Sequence, residues 1–191
     1  MELMEVITTR RSVRRYRQDP VPRELMEELL TAACWAPSAE NQQPWYFVAL
    51  TEAGEIARLH ATMDQVAASL KPHLEAQFPR HPRIVGETTG FLRQLGGAPV
   101  CILVFLQKEY PFARDSMLQS AAAATQNLLL AARERGLGAC WINAASELGY
   151  GPALREQFAP DKGEFISIVT LGYSDHTPRT PGRKPDRWVI R

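Results

Sequence analysis

Two stretches of this 191-residue chain concentrate groups that could hold a flat ligand bearing an anion. The first is Arg10-Arg11-Ser12-Val13-Arg14-Arg15-Tyr16-Arg17, a basic burst that alternates in a strand-like way. In an extended segment Arg10, Ser12 and Arg14 point to one side and can converge on a phosphate, arginine supplying forked donors. The second runs from Trp35 to Phe47. Within it Ser38, Asn41, Gln42 and Gln43 offer a hydroxyl and three amides, each amide able to donate and accept. Trp35 lies before them and Trp45, Tyr46 and Phe47 follow. That chemistry suits the edge of a neutral heteroaromatic ring such as a flavin. Both stretches have plainer readings: a polar turn joining helix to strand, and a solvated basic edge or nucleic-acid arm. The chain interleaves no aromatics with its cations as a nucleic-acid reader would.

Composition narrows the field. With 45% hydrophobic and 23% charged residues, the chain reads as one globular domain with a real core. A net charge of +1 provides no global field toward nucleic acid or acidic membranes. The longest apolar run, Val100 to Leu106, is too short to cross a bilayer, and acidic Met1-Glu2-Leu3-Met4-Glu5 does not read as a signal peptide. Cys34, Cys101 and Cys140 are odd in number, far apart and set among small apolar residues. They read as free thiols in a reducing compartment, which predicts a cytoplasmic protein.

The elements that must position the two stretches follow from periodicity. Leu3, Val6 and Ile7 predict a short first helix. Pro22 opens a second, with Leu25, Met26, Leu29, Leu30 and Ala33 on one face and acid in its first turns. Pro37 ends it, and Trp45 to Leu50 is a buried strand. Residues 55–75 predict a helix whose end is clouded by Pro72, and residues 77–97 read as an irregular cover. Strands are expected at Val100 to Leu106, Leu137 to Ile142 and Phe165 to Leu171. Asp115 to Arg135 is a long helix, apolar nearly all round, which suits a large core or a subunit interface and so favours a homodimer. Gly149 to Phe158 is a short helix, and Trp188-Val189-Ile190 a terminal strand on a proline-spaced arm that needs something to dock on. Helices alternating with buried strands give an α+β layered domain.

Self-sufficient catalytic schemes are missing. There is no GxSxG elbow and no Walker loop. Gly136-Leu137-Gly138 lacks the third glycine of a dinucleotide fingerprint and follows a helix. His60, His73 and His81 lack ligand spacing and a matched carboxylate, so no metal site is expected, and Cys34 has no nearby cation to make it reactive. Hard chemistry would have to come from a cofactor.

Taken in order, Arg10-Arg11-Ser12-Val13-Arg14, Pro20-Val21-Pro22 and Ala36-Pro37-Ser38-Ala39-Glu40-Asn41-Gln42-Gln43-Pro44-Trp45 closely resemble the nitroreductase family of FMN-dependent oxidoreductases. Ala131 to Ile142 and Leu171-Gly172-Tyr173 look like the family's later signatures, and the likeness is weakest over residues 55–97. The resemblance implies a nitroreductase-like three-layer fold: a mixed, mostly antiparallel sheet flanked by helices. It also implies a single domain over residues 1–191, assembled as an intertwined homodimer with residues 173–191 as an arm on the partner. Arg10, Arg11, Ser12 and Arg14 would hold the FMN phosphate, joined near the C-terminus by Arg183, with Lys184 and Arg179 as rivals. Pro37, Ser38 and Ala39 would line the ring of the partner's flavin, with Asn41 and Gln43 making polar contacts. Asn143 and Ala144 would offer backbone N–H near flavin N5, in place of the glutamate or glycine many members carry, with no side chain acting as a nucleophile. The activity implied is ping-pong reduction of electron-poor molecules (nitroaromatics, quinones, activated alkenes) by NAD(P)H. Alternatives within the same fold are a reductive dehalogenase or a flavin-modifying enzyme; outside it stands a flavin-binding protein without turnover.

Overall fold

The computed structural model describes residues 1–109 and 113–191. Four strands make its sheet: β1 (Trp45–Leu50), β2 (Val100–Leu106), β3 (Gly138–Ile142) and β4 (Phe165–Gly172). They lie in the order β1-β2-β4-β3, and every neighbouring pair is antiparallel. A parallel bridge from Ser12 to Ala139 extends the β3 edge and makes the sheet mixed.

Alternation along β2 explains the layers. Cys101, Leu103 and Phe105 face a core built with Leu59, Met63 and Val66 of α3 (Ala53–Gln77), Leu92 of α4 (Pro82–Gln94) and Leu154 of α7 (Gly151–Phe158). Val100 and Ile102 face the other way, onto Leu29 and Ala33 of α2 (Arg23–Cys34) and Leu128, Leu129 and Ala132 of α5 (Arg114–Glu134). All seven β2 residues are buried, as expected for a strand covered on both faces. Each large side chain so buried contributes about 1.5–3 kcal/mol. The outcome is the expected three-layer α+β fold. Along α5, Met117, Ala121, Ala124, Leu128 and Ala132 are buried, while Leu118, Ala122 and Leu130 on its other faces are half-buried.

Several expectations need correction. Residues 77–97 are not an irregular cover, because α4 occupies most of them, starting at Pro82 and burying Val85, Thr89 and Leu92 on one face. Val85, Thr89 and Leu92 recur at helical spacing, but Gly86, Gly90 and the paired threonines lower the helix propensity of the stretch. Helix α3 runs through Pro72 to Gln77, its last turns tied down by buried Leu74. Trp188-Val189-Ile190 forms no strand; all three are largely exposed. Of the stripe on α1 (Leu3–Thr9) only Val6 is buried. A one-turn helix, α6 (Ala144–Glu147), precedes α7, which starts at Gly151 rather than Gly149.

Candidate functional site

The extended segment Arg10–Arg17 is stitched down from several sides. Val13 N–H donates to the Ala139 carbonyl (3.0 Å), Tyr16 N–H to Gly96 (3.1 Å) and Arg17 N–H to Tyr173 (2.9 Å). The Tyr16 hydroxyl donates to the Val13 carbonyl (2.7 Å) and sits 2.8 Å from Thr170 Oγ1 of β4. Val13 and Tyr16 are therefore the buried anchors, and burial pushes the Tyr16 hydroxyl well above its ordinary pKa. Two glycines allow the close approach. A Cβ on Gly138 would lie 2.7 Å from Val13 Cγ2, and one on Gly96 would overlap the Arg14 carbonyl.

So anchored, the segment presents Arg10, Ser12 and Arg14 to a cavity of about 980 Å³. Arg183 and Arg179 of the tail line it from across, and Gly86, Gly90 and Phe91 of α4 form another wall. The Arg14 guanidinium lies 5.8 Å from the Phe91 ring centroid. Arg15 and Arg17 are paired, with Asp175 (3.5 Å) and Asp19 (2.8 Å). Among the described residues no carboxylate pairs with Arg10, Arg14 or Arg183. Burial, then the charges of Arg11 and Arg183, lowers the Arg10 pKa. Arg11 lines the cavity too, but two of its donors go to protein acceptors: the Arg10 carbonyl (2.6 Å) and Thr180 Oγ1 (3.1 Å). Beneath the segment lies Cys140, whose thiol pKa burial raises against the opposing pull of Arg14, Ser12 and Arg10.

The amide-rich turn lies elsewhere. Ala39–Asn41 is a short 3₁₀ turn, and Glu40, Asn41 and Gln43 have φ of 47°, 56° and 46°. Left-handed backbone at non-glycine residues stores about 1–3 kcal/mol apiece and accumulates at functional sites. The turn is held by Gln43 N–H to Ser38 Oγ (3.0 Å), Gln43 Nε2 to Asn41 Oδ1 (3.1 Å) and Ala39 N–H to Ser120 Oγ (3.3 Å). Pro37 is exposed, Ser38 and Ala39 are half-buried, and Asn41 and Gln43 line a separate groove of about 750 Å³ with Leu30 and Trp35. Asn143 and Ala144 stand at the end of β3, at the start of α6, and line neither cavity.

Sheet order gives the separation. Ser12 sits outside β3, level with Val100 through Ala139 and Leu171, whereas the turn feeds Trp45, opposite Leu106 on the far strand β1. Four strand spacings across and six residues along place the two groups roughly 28 Å apart within one chain.

A three-layer α+β domain thus carries, at its sheet edge, an arginine cluster whose donors suit a phosphate. The comparisons with known proteins are specific. The profile described as the Nitroreductase family matches residues 7–173, and the chain belongs to that family. A Bacillus subtilis (strain 168) protein assigned as an NAD(P)H nitroreductase is 29% identical over 187 residues, covering 97% of this chain and 91% of its own. The 5,6-dimethylbenzimidazole synthase of Rhodospirillum rubrum is also 29% identical, over 193 residues, covering 95% and 86%. Among solved structures, a Desulfovibrio desulfuricans protein assigned as a nitroreductase, in complex with FMN, superposes with a TM-score of 0.73. Its identity is 28%, over 97% of this chain and 93% of its own.

Sequence reasoning missed the supports of the clamp. Tyr16 was one more residue of a basic run, though it is the uncharged position there that is stapled to β4. Gly96 and Phe91 were hidden in the stretch misread as irregular, and Thr180 carries no local signal.

Proposed function

We propose that this chain is an FMN-dependent NAD(P)H oxidoreductase, cytoplasmic and homodimeric, acting on electron-poor acceptors such as nitroaromatics, quinones and activated alkenes. The observation that carries the reading is the convergence of Arg10, Ser12, Arg14 and Arg183 on one cavity, where no carboxylate among the described residues pairs with the arginines. A phosphate monoester brings about −1.5 to −2 charges and three acceptor oxygens, which this donor set suits. Bound FMN would supply the redox chemistry, accepting hydride from the nicotinamide and passing it on. The protein binds, orients and shields: Asn143 and Ala144 sit where a helix starts, so their N–H groups lack intrahelical partners and are available to the flavin ring. Donor and acceptor using one ring face in turn would give ping-pong kinetics.

The diagonal separation of the two half-sites supports the homodimer reading. Pro37, Ser38, Ala39, Asn41 and Gln43 cannot reach their own clamp across the sheet, so their ring-edge chemistry serves a neighbour's flavin. Exposed Trp188, Val189 and Ile190, together with Leu3 and Met4, supply apolar surface for that assembly. All three cysteines are free thiols, which accords with a reducing compartment.

The test is the absorbance spectrum of freshly purified protein, followed by NAD(P)H oxidation with an added acceptor. Flavin bands and steady turnover support the reading. A colourless protein that ignores added FMN defeats it. One observation favours a second reading, a flavin-modifying enzyme: the synthase relative is as identical to this chain as the B. subtilis one. Loss of flavin absorbance during turnover, with no acceptor reduced, would select it.

A further inference from the structure

We propose that Arg11 is a positioning residue that latches the C-terminal tail through Thr180, so that Arg183 reaches the phosphate; this rests on the FMN reading above. The tail leaves β4 at Gly172 and, among the described residues, stays tied to the clamp segment through the backbone as far as Asp175, whose N–H donates to the Arg15 carbonyl at 3.4 Å. A side-chain contact reinforces the tie: Asp175 pairs with Arg15 (3.5 Å). Beyond them, among the described residues, the last hydrogen bond joining tail to body is Arg11 Nη2 to Thr180 Oγ1, at 3.1 Å. Arg183 comes three residues later, inside the cavity.

Arg11 is built for this task. Its Nη1 donates to the Arg10 carbonyl at 2.6 Å, which fixes the guanidinium plane against the clamp backbone. Its other outward donor is spent on Thr180. Among the described residues the Arg10 and Arg14 guanidinium groups have no hydrogen-bond acceptor, and that difference separates the proposed phosphate ligands from the latch. A tail without the latch is an extended, proline-spaced segment that samples many conformations, and Arg183 would enter the cavity only part of the time. Apparent phosphate affinity falls by the fraction of molecules with the tail in place.

The experiment is a mutant cycle on the apoprotein, with FMN and riboflavin titrations run in parallel. Thr180→Val and Arg11→Met should each weaken FMN about three- to tenfold, in line with loss of one exposed charge-assisted hydrogen bond, and leave riboflavin unchanged. Added to Arg183→Ala, Thr180→Val should cost nothing further, since the arginine it positions is gone. A full additive loss there, or a wild-type FMN affinity in Thr180→Val, overturns the latch. A cofactor-free readout separates this from failure of the FMN reading: tryptic cleavage between Arg183 and Lys184 should quicken about fivefold in Thr180→Val apoprotein. If FMN and riboflavin bind alike, the clamp assignment fails, and unchanged cleavage rates then dispose of the latch as well.

Discussion

Gly96 lies against the carbonyl of Arg14 so closely that a single methyl group on its Cα would overlap that oxygen. Its φ of 68° adds a second constraint, because side chains resist the left-handed region. Gly96→Ala should therefore lose about 2–4 kcal/mol of stability by denaturant titration, from strain and overpacking together. Gly90→Ala is the contrast. That glycine is within α4 and a Cβ there meets open space, so helix propensity alone should stabilise by up to about 1 kcal/mol. Equal effects at the two positions would refute the assignment of Gly96 as a buttress.

Removing both unpaired clamp arginines tests the phosphate site directly. Arg10→Ala with Arg14→Ala should weaken FMN by about 100-fold or more, two charge-assisted contacts being lost, while riboflavin affinity changes little. Equal losses for both ligands in fluorescence titrations would show that these arginines do not read phosphate.

Tyr16→Phe keeps the buried ring and deletes the hydroxyl that joins the Val13 carbonyl to Thr170. The expected cost is about 1–3 kcal/mol of stability, because the Thr170 side chain and the Val13 carbonyl lose a buried partner. FMN affinity should fall as well, since the clamp backbone loosens. An unchanged denaturation midpoint would remove Tyr16 from the supporting role.

Alkaline pH should destabilise the fold in a defined window. Burial pushes the Cys101 thiol up to about 12 from an ordinary 9, and also raises Tyr16. For a raised pKa the protonated form is the one the native state favours. The stability it contributes is intact below the unfolded value and is lost as pH climbs toward the folded one. Stability should be level up to about pH 9 and then decline toward pH 12, with Tyr16 joining from about pH 10. In Cys101→Ala the early part of that decline should shrink. A wild-type curve flat to pH 11 would contradict the buried thiol.

The exposed tail predicts an assembly phenotype. Trp188 and Ile190 are 81% and 86% exposed in the single chain. If the arm docks on a second copy, Trp188→Ser with Ile190→Ser should shift sedimentation from dimer toward monomer at micromolar concentration. FMN should be lost alongside, because in the proposed dimer the amide turn comes from the neighbour. A dimer unaffected by these changes would place the interface elsewhere.

Local physics made much of this molecule legible from residue order alone. Alternating polarity around Arg10–Arg14 determined an extended, one-sided arginine array, and the unbroken apolar run Val100–Leu106 determined β2, since a strand covered on both faces has few polar positions. The ordered motifs sufficed for the family. Other features needed the tertiary structure. Helix α4 was hard to read because Gly86 and Gly90 lower its helix propensity, and packing against α3 and the core sustains it. Arg11 and Arg10 are the same residue type, side by side; the fold alone gives one to Thr180 and leaves the other free, because the contact joins positions 169 residues apart. Strand order, too, decided that the amide turn and the clamp stand at opposite corners of the sheet, for sequence spacing carries no information about which strands become neighbours.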